Sequence, residues 1–297
     1  MYHENMVKIK VARRFIVLLS IFYFLEGKEK KLLLIGIDGC RSDALQIAST
    51  PNIDNIIDEG LFISNALCSI NGQKTKSGPG WASLLTGVWA DKHGIVDNSF
   101  KGSNIKEYPP FNVLIREAKD SLKTAAFIMW EPILEHIFGN TLDYSETFSK
   151  YDESMAVKAS KYISTTKLDA IFIDFDHVDR SGHWFGFKSK IGRYTKSIEQ
   201  VDTYIGWIYE AITKRGTYAN EDWLVIITSD HGGRNRNHGG QSLEEKEVPI
   251  IIKRSNNKQV SISSQAYLTD IVPTILDHFD VSVKHKVGLE GISLIDP

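Results

Sequence analysis

Residues that could act together in catalysis fall in a few short segments of the 297-residue chain. Asp230 and His231 are adjacent, are followed by two glycines, and come seven residues before His238. Asp179 and His183 are four residues apart, a spacing that puts both side chains on one face of a helical turn, although Gly182 fits a tight loop equally well. Each pair alone could be structural, but acidic and imidazole groups in these arrangements are candidates for a metal site.

Two further candidates each have a structural alternative. Asp38 follows the apolar run Leu32–Ile37, a position from which an aspartate can also cap the next helix. His93 lies in Lys92-His93-Gly94, where we favour a structural loop histidine over a ligand.

Ser77 is the candidate nucleophile. It lies in Lys76-Ser77-Gly78-Pro79-Gly80-Trp81, just before a predicted helix that begins at Trp81, so the positive end of the helix dipole could orient its hydroxyl. A plain loop serine is the alternative for this residue. Other hydroxyls nearby could take the same role, namely those of Ser42, Ser69, Thr75 and Ser83.

Together the candidate groups suffice for two divalent cations. The set comprises the carboxylates of Asp38, Asp179 and Asp230 and the imidazoles of His183, His231 and His238. Oxygen and nitrogen ligands without a thiolate suit zinc best, with manganese or iron as alternatives. Two such ions against three carboxylates leave one positive charge, which would attract an anion. Metal coordination would also make a serine hydroxyl a nucleophile at neutral pH.

The elements that must position these residues predict an α/β fold with a mostly parallel central sheet flanked by helices on both faces. Five short apolar runs predict buried strands; they are Leu32–Ile37, Ala125–Met129, Ala170–Phe175, Trp223–Thr228 and Val248–Ile252. Ligand sites in such sheets lie beyond the carboxyl ends of the strands. Acidic residues at these ends, Asp38, Asp174, Asp176 and Asp230, are therefore expected to converge and to need a metal as counter-charge.

Two helices are predicted from periodicity. Apolar residues that recur every three or four positions predict a helix over about 191–214, ending before Gly216. A second helix is predicted over Thr269–Phe279, with Pro273 in its first turn. The stretch 99–167 has the weakest pattern.

The composition is that of an ordinary soluble globular protein, with 42% hydrophobic and 24% charged residues. Its 35 basic and 37 acidic residues give a net charge of −2, which gives no reason to expect a nucleic-acid-binding surface. Cys40 and Cys68 are too few for a disulfide scaffold, and the sequence leaves open whether they pair. We expect residues 28–297 to form a single catalytic domain.

Residues 1–27 differ from the rest of the chain. Four basic residues, Lys8, Lys10, Arg13 and Arg14, precede the apolar stretch Phe15–Leu25, which is too short to span a bilayer and fits a signal peptide. The cleavage site at Leu25-Glu26-Gly27 is poor, and a buried N-terminal helix is the alternative. We expect a signal peptide or anchor. That would give a secreted or endomembrane location, with membrane association through the N-terminus only; without a signal the protein would be cytoplasmic.

In these residues the chain resembles the alkaline phosphatase superfamily, nearest its nucleotide pyrophosphatase/phosphodiesterase branch. The segments that carry the likeness are Ile37-Asp38-Gly39-Cys40-Arg41, Thr50-Pro51-Asn52-Ile53-Asp54, Ser77-Gly78-Pro79 with Thr86-Gly87, Asp179…His183, Ser229-Asp230-His231-Gly232, His238, Glu247-Val248-Pro249 and Asp270-Ile271-Val272-Pro273-Thr274. They follow one another in the family's order and cover about residues 32–294. The nucleophile segment is also shared with sulfatases.

The resemblance implies a metal-dependent hydrolase of small-molecule phosphoesters, a phosphodiesterase or nucleotide pyrophosphatase, with an alkaline phosphatase-like core and a minimal cap insertion. It implies one metal ion held by Asp179, His183 and His238 and a second held by Asp38, Asp230 and His231. Ser77 would lie between the ions, ligate them, and form a phosphoserine intermediate. The oligomeric state is left open.

Two departures from the family pattern matter. The branch usually has threonine as nucleophile and, three residues later, an asparagine that binds a phosphate oxygen; this chain has Ser77 and Gly80. Backbone N–H groups from Gly78 to Trp81 would then have to make that contact. Sulfatases need an arginine where this chain has Trp81, so sulfatase maturation is not expected. The alternatives are a phosphomonoesterase or phospho-group transferase and, after these, a sulfatase-like or non-catalytic metal-binding protein.

Overall fold

The computed structural model of the chain describes residues 27–255, 265–281 and 288–295. The signal-peptide prediction rests on residues 1–27, and all of these but Gly27 lie outside the described residues. Within the described ranges, no helix is both long enough and apolar enough to cross a bilayer.

A seven-stranded sheet forms the centre of the molecule, in the spatial order β2-β7-β6-β1-β5-β3-β4. In chain order the strands are β1 (Glu29–Ile37), β2 (Leu61–Leu67), β3 (Thr124–Ile128), β4 (Tyr144–Thr147), β5 (Ala170–Phe175), β6 (Glu221–Thr228) and β7 (Glu247–Arg254). The strands from β6 to β4 run parallel, whereas β7 is antiparallel to both of its neighbours. The predicted α/β fold with a mostly parallel sheet is confirmed.

All five predicted strands form, but β2 and β4 were not predicted. Both lie at the edges of the sheet and are half exposed, so their sequences lack the continuous apolar run of a buried strand. The antiparallel direction of β7 has a local cause. The chain between β6 and β7 contains only a four-residue helix and stays at the carboxyl edge, so it re-enters the sheet from that edge.

The helices are α1 (Ser42–Leu45), α2 (Pro51–Asp58), α3 (Ser77–Thr86), α4 (Ala90–His93), α5 (Phe111–Ala118), α6 (Asp152–Thr165), α7 (His177–Phe185), α8 (Arg193–Thr213), α9 (Leu243–Lys246) and α10 (Ile271–His278). The first predicted helix is α8, but Ile191 was wrongly included: it lies outside α8 and is 77% exposed. The second consists of a 3₁₀ turn, Leu268–Asp270, followed by α10, with Pro273 in the first turn of α10 as predicted.

The sheet separates two apolar layers, and β1 supplies side chains to both in alternation. Leu32 and Leu34 pack on the side of α3, α5 and α10, whereas Leu33, Ile35 and Ile37 pack on the side of α6 and α8. All five side chains are fully buried. Burial of an aliphatic side chain contributes about 1.5–3 kcal/mol, so the central strands form a well-fixed base for the residues that follow them.

The register of the three central strands brings their carboxyl ends level. Gly36 of β1 pairs with Asp174 of β5 on one side and with Thr228 of β6 on the other. Asp38 and Asp230, which come directly after the ends of β1 and β6, therefore leave the sheet at the same edge.

Candidate active site

The seven predicted site residues come from four elements that meet at this carboxyl edge. Ser77 is the first residue of α3, and Asp179 and His183 lie on one face of α7. The connection after β6 carries the remaining two histidines, His231 and His238. The structure brings all seven residues into one region.

One group of ligands is centred on Asp179. Its Oδ2 lies 3.2 Å from Nε2 of His183, and its Oδ1 lies 3.8 Å from Nε2 of His238. The potential ligand atoms of these three residues all lie within 4.8 Å of one another. This is the grouping that the family resemblance implies for one metal ion.

A second group is centred on His231. Its Nε2 lies 3.5 Å from Oδ1 of Asp38, 3.3 Å from Oδ2 of Asp230 and 3.2 Å from Oγ of Ser77. Asp38, His231 and Asp179 also form a group within 4.8 Å. In this second three-residue group Asp179 stands in the place that the resemblance gives to Asp230, and Asp230 joins the site through its contact with His231.

All three histidines are held in the same way. Each Nδ1 contacts a main-chain carbonyl oxygen: Gly232 for His231, Thr75 for His238 and Arg236 for His183, at 2.7 to 2.9 Å. Since a carbonyl oxygen only accepts, Nδ1 must donate, and in the neutral ring Nε2 keeps its lone pair. Metal-binding histidines are usually oriented by such a second hydrogen bond. Nε2 is the atom that each ring presents to the carboxylates.

The oxygen atoms at the centre of the site fit a bound cation. Oδ1 of Asp38, Oδ1 of Asp179 and Oδ2 of Asp230 are buried and have no hydrogen-bond partner among the described residues. An unpaired buried carboxylate oxygen is costly unless a cation compensates it. Ligands on a tetrahedral zinc ion, with bonds of about 2.0–2.1 Å, lie about 3.3 Å apart, close to the separations observed here.

The electrostatic balance points the same way. Burial, together with the charge of Asp230 and then that of Asp179, raises the pKa of Asp38 well above its usual value. Burial likewise raises the pKa of Asp230. Burial lowers the pKa of His231 to about 3, so this imidazole is neutral and able to bind a metal ion. A bound cation would favour the charged form of both carboxyls.

We expect the apparent affinity for Zn²⁺ to rise with pH up to about 9. The hydrogen bond with Asp179 raises the pKa of His183 to about 9, so at lower pH a proton must leave before Nε2 can bind the ion. Each displaced proton weakens apparent binding about tenfold per pH unit below that pKa. Calorimetric titration in buffers of different ionisation enthalpy counts the protons released. The His183→Ala control should release one proton fewer on binding Zn²⁺. An affinity that does not change with pH would contradict the role of His183 as a ligand.

Three of the four alternative nucleophiles are engaged elsewhere, whereas Oγ of Ser42 is buried and has no hydrogen-bond partner among the described residues. The hydroxyls of Ser69 and Thr75 donate to backbone carbonyls of Gln73 and Gly240. Ser83 contacts His93, which is fully buried and also accepts a hydrogen bond from the backbone of Ile95. His93 is thus a structural histidine, as predicted. Of the hydroxyls considered, Ser77 is the one that contacts a predicted metal ligand within the described chain.

Gly80 and Trp81 have packing roles that explain the departures from the family pattern. A Cβ on Gly80 would lie 2.4 Å from the carbonyl oxygen of Asp230, so a side chain there would push α3 away from the site. Trp81 is fully buried, and its Nε1 approaches Oδ2 of Asp38 at 3.3 Å. Both residues hold α3 against the ends of β1 and β6.

Asn98 is a site residue that sequence reasoning missed. Its Oδ1 accepts a hydrogen bond of 2.9 Å from the backbone N–H of Gly78, which holds its amide group beside Ser77. The N–H of Gly80 donates to Lys76. Two of the backbone donors expected to bind a phosphate oxygen are therefore already used. The chain around Asn98 carries no motif that would have identified it.

Asp174 and Asp176 lie close enough for their charges to add to burial in raising the pKa of Asp38, so the four acidic residues do converge. These two do not join the ligand groups, so the expectation that a metal is their counter-charge was wrong. Oδ2 of Asp174 accepts from the backbone N–H groups of Met129 and Trp130 beyond β3. Asp176 forms an ion pair of 2.8 Å with Arg180, one turn later on α7. Cys40 and Cys68 are both buried and free.

Comparisons with known proteins agree with the motifs. The family profile for "Type I phosphodiesterase / nucleotide pyrophosphatase" matches residues 32–245. Bis(5'-adenosyl)-triphosphatase ENPP4 of Bos taurus is 28% identical over 222 residues, which are 68% of this chain and 47% of that protein. The chain thus spans about half the length of the curated relatives it matches.

Two solved structures share the fold. Murine ectonucleotide pyrophosphatase/phosphodiesterase 5, in an inactive form with AMP, has a TM-score of 0.65 at 17% identity, over 86% of this chain and 96% of that one. A 2-O GAG sulfatase has a TM-score of 0.68 at 17% identity, over 90% of this chain and 73% of that one. The predicted alkaline phosphatase-like architecture is confirmed, and the matched residues 32–245 establish that the chain belongs to the type I phosphodiesterase/nucleotide pyrophosphatase family.

Proposed function

We propose that this protein is a metal-dependent phosphoester hydrolase, a phosphodiesterase or nucleotide pyrophosphatase, that uses Ser77 as its nucleophile. The observation that carries the proposal is the contact of 3.2 Å between Oγ of Ser77 and Nε2 of His231, beside buried carboxylate oxygens that lack partners. Family membership supports the same reaction class. The relatives include a bis(5'-adenosyl)-triphosphatase, which favours nucleotide-like substrates.

Six residues would bind the two cations, and Ser77 would attack the phosphorus atom. Asp179, His183 and His238 would hold one divalent cation, and Asp38, Asp230 and His231 the other, zinc being the first expectation. Such ions neutralise phosphate charge and lower the pKa of a nearby hydroxyl. Attack by Oγ of Ser77, which gives up its proton to water, forms an O–P bond and breaks in line the bond from phosphorus to the leaving group, which departs and takes up a proton. Water then attacks phosphorus, breaks the Oγ–P bond and returns a proton to Oγ.

The N-terminus of α3 adds to the recognition of the phosphate. Ser77 is the first residue of this ten-residue helix, whose N-terminal end carries a partial positive charge. An anionic phosphate next to Ser77 would lie close to that end. Trp81 fixes the direction of the helix by packing beneath it and contacting Asp38.

Asn98→Ala should lower kcat by about two orders of magnitude, the usual effect of removing one donor that stabilises transition-state charge. In this proposal Nδ2 of Asn98 donates to a phosphate oxygen while Oδ1 accepts from Gly78. Asn98→Asp keeps the acceptor and loses the donor, so it should be as impaired as Asn98→Ala in steady-state assays. Rescue by aspartate would show that Asn98 only holds the loop.

A panel of p-nitrophenyl substrates tests the reaction class. We expect hydrolysis of the phosphodiester, weaker hydrolysis of the monoester and phosphonate, and loss of all activity with chelator. The sulfate ester is the test of a sulfatase-like function, which the fold neighbours raise and which Trp81 argues against. Preference for the monoester would instead indicate a phosphomonoesterase. Transfer of the phosphoryl group to an added alcohol would indicate a phospho-group transferase. Chelator-resistant hydrolysis would contradict the proposal.

The location of the protein is part of the proposal. The basic and then apolar order of residues 1–27 supports a secreted or endomembrane protein. The prefix "ecto" in the names of its relatives points in the same direction.

A further inference from the structure

The end of α7 and the loop that leads to α8 expose large apolar side chains beside the candidate active site. Trp184 is 67% exposed, Phe185 38% and Ile191 77%. These are three of the ten large hydrophobic residues that the described chain exposes, and they fall within eight consecutive positions. Trp184 directly follows His183, so this surface, which we call the 184–193 loop, borders the metal ligands.

The 184–193 loop is anchored at its centre. Phe187 is buried, its backbone N–H donates to the carbonyl of Asn235, and its ring fills space left by two glycines. A Cβ on Gly182 or on Gly233 would come within 2.4 Å of that ring. At the far end, the guanidinium of Arg193 lies 4.5 Å from the ring centroid of Phe185. The exposed apolar side chains are therefore presented on a fixed support.

Basic side chains predominate in and beside this loop, although the whole chain has a net charge of −2. An acidic residue that contacts the loop, Asp43, bonds to Ser189 and is ion-paired with Arg41. Between Asp179 and Glu199 there are five basic residues and no acidic ones, and between Asp230 and Glu244 there are two basic and no acidic ones. Five of these seven form no ion pair within the described ranges, namely Lys188, Lys190, Arg193, Arg234 and Arg236. The two segments are neighbours, because Phe187 pairs with Asn235.

We infer that the 184–193 loop docks the protein onto an anionic lipid surface, with the candidate active site next to the membrane. Tryptophan and aliphatic side chains insert at the headgroup boundary, and lysine and arginine are drawn to anionic lipids. The aliphatic Ile191 fits a bilayer better than it fits a soluble polyanion, which offers it nothing apolar. This contact is separate from any association through the N-terminus, and it does not depend on the proposed reaction.

A fluorophore on the loop reports this contact directly, whatever the N-terminus does. Cys40 and Cys68 are buried, so a cysteine introduced as Ile191→Cys can be labelled selectively in the full-length protein with an environment-sensitive dye. Its emission should shift to the blue with mixed phosphatidylcholine–phosphatidylserine vesicles but not with phosphatidylcholine alone, and the shift should weaken at high salt. The same label at Val157→Cys, exposed on α6, should not respond.

Charge variants made in the labelled protein complete the test. Lys188→Gln with Lys190→Gln should weaken the apparent affinity for anionic vesicles about 30-fold, from about 1 kcal/mol for each basic residue. The matched pair Lys161→Gln with Lys167→Gln lies near the start of β5, at the opposite edge of the sheet, and should have no effect. Soluble-substrate hydrolysis should be unchanged in both. Three results would each overturn the inference. They are a fluorescence shift with neutral vesicles as large as that with anionic ones, the same loss of affinity in both lysine pairs, and a response to heparin but not to vesicles.

Discussion

Ser77→Ala should abolish phosphoester hydrolysis while leaving metal binding intact. Of the hydroxyls considered, only that of Ser77 contacts His231 within the described chain; those of Ser69, Thr75 and Ser83 bond elsewhere, and that of Ser42 has no partner there. Removal of a catalytic nucleophile commonly costs more than about 10³-fold in kcat, so only background hydrolysis should remain. Steady-state kinetics measure the loss, and elemental analysis measures the bound metal. When the wild-type enzyme is quenched in acid during turnover of a substrate with radioactive phosphorus, labelled phosphoserine should be trapped. The variant should form none.

The control for this substitution lies on the same helix. Ser83 is also buried in α3, but its hydroxyl contacts Gln73 and His93 instead of the ligand groups. Ser83→Ala should therefore lower stability without a comparable loss of kcat. Ser77→Thr, which keeps a hydroxyl, should retain part of the activity. A Ser77→Ala variant with wild-type turnover would mean that water attacks the substrate directly, and the assigned role of Ser77 would be wrong.

The sequence predicted the centre of the fold because the central strands are buried on both faces. β1, β5 and β6 need continuous apolar runs, and such runs are visible without an alignment. The edge strands β2 and β4 face solvent on one side, so their sequences do not differ from those of loops. The direction of β7 depends on the path of the connection after β6, which no local pattern encodes.

Site residues could be predicted where they lie in short motifs. For adjacent or helically spaced pairs, such as Asp230 with His231 and Asp179 with His183, the spacing along the chain already places the two side chains together. Asn98 does not, because its position beside Ser77 arises from a tertiary hydrogen bond to Gly78. Asp174 and Asp176 were expected to need the metal for the same reason. Asp174 lies in β5 and Asp176 directly after it, but Asp174 accepts from backbone N–H groups beyond β3 and Asp176 pairs with Arg180.

Removing the metal ions should destabilise the fold as well as stop catalysis. Chelation leaves Asp38 and Asp230 fully buried without a counter-charge, in a site whose burial already raises the pKa of both carboxyls. A ligand at about 1,000 times its Kd stabilises the folded state by about 4 kcal/mol. For a domain of this size each kcal/mol shifts Tm by about 2–4 °C, so chelation should lower Tm by about 8–16 °C. Calorimetry with and without chelator measures the shift.

Asp230→Asn should change the two states in opposite directions. The amide oxygen can still accept from the N–H of Gly39, but the buried charge is gone, so the chelated variant should melt above the chelated wild type at neutral pH. With metal bound, the variant should melt below the metal-bound wild type, because one ligand is weakened. Asp174→Asn is the matched control, since Asp174 is equally buried but its Oδ2 accepts from the backbone beyond β3. The rise in Tm on metal binding should persist in this variant. A lower Tm for Asp230→Asn in both states would instead mean that Asp230 is structural. A carboxylate that binds a cation lowers stability when the ion is absent and raises stability when the ion is bound.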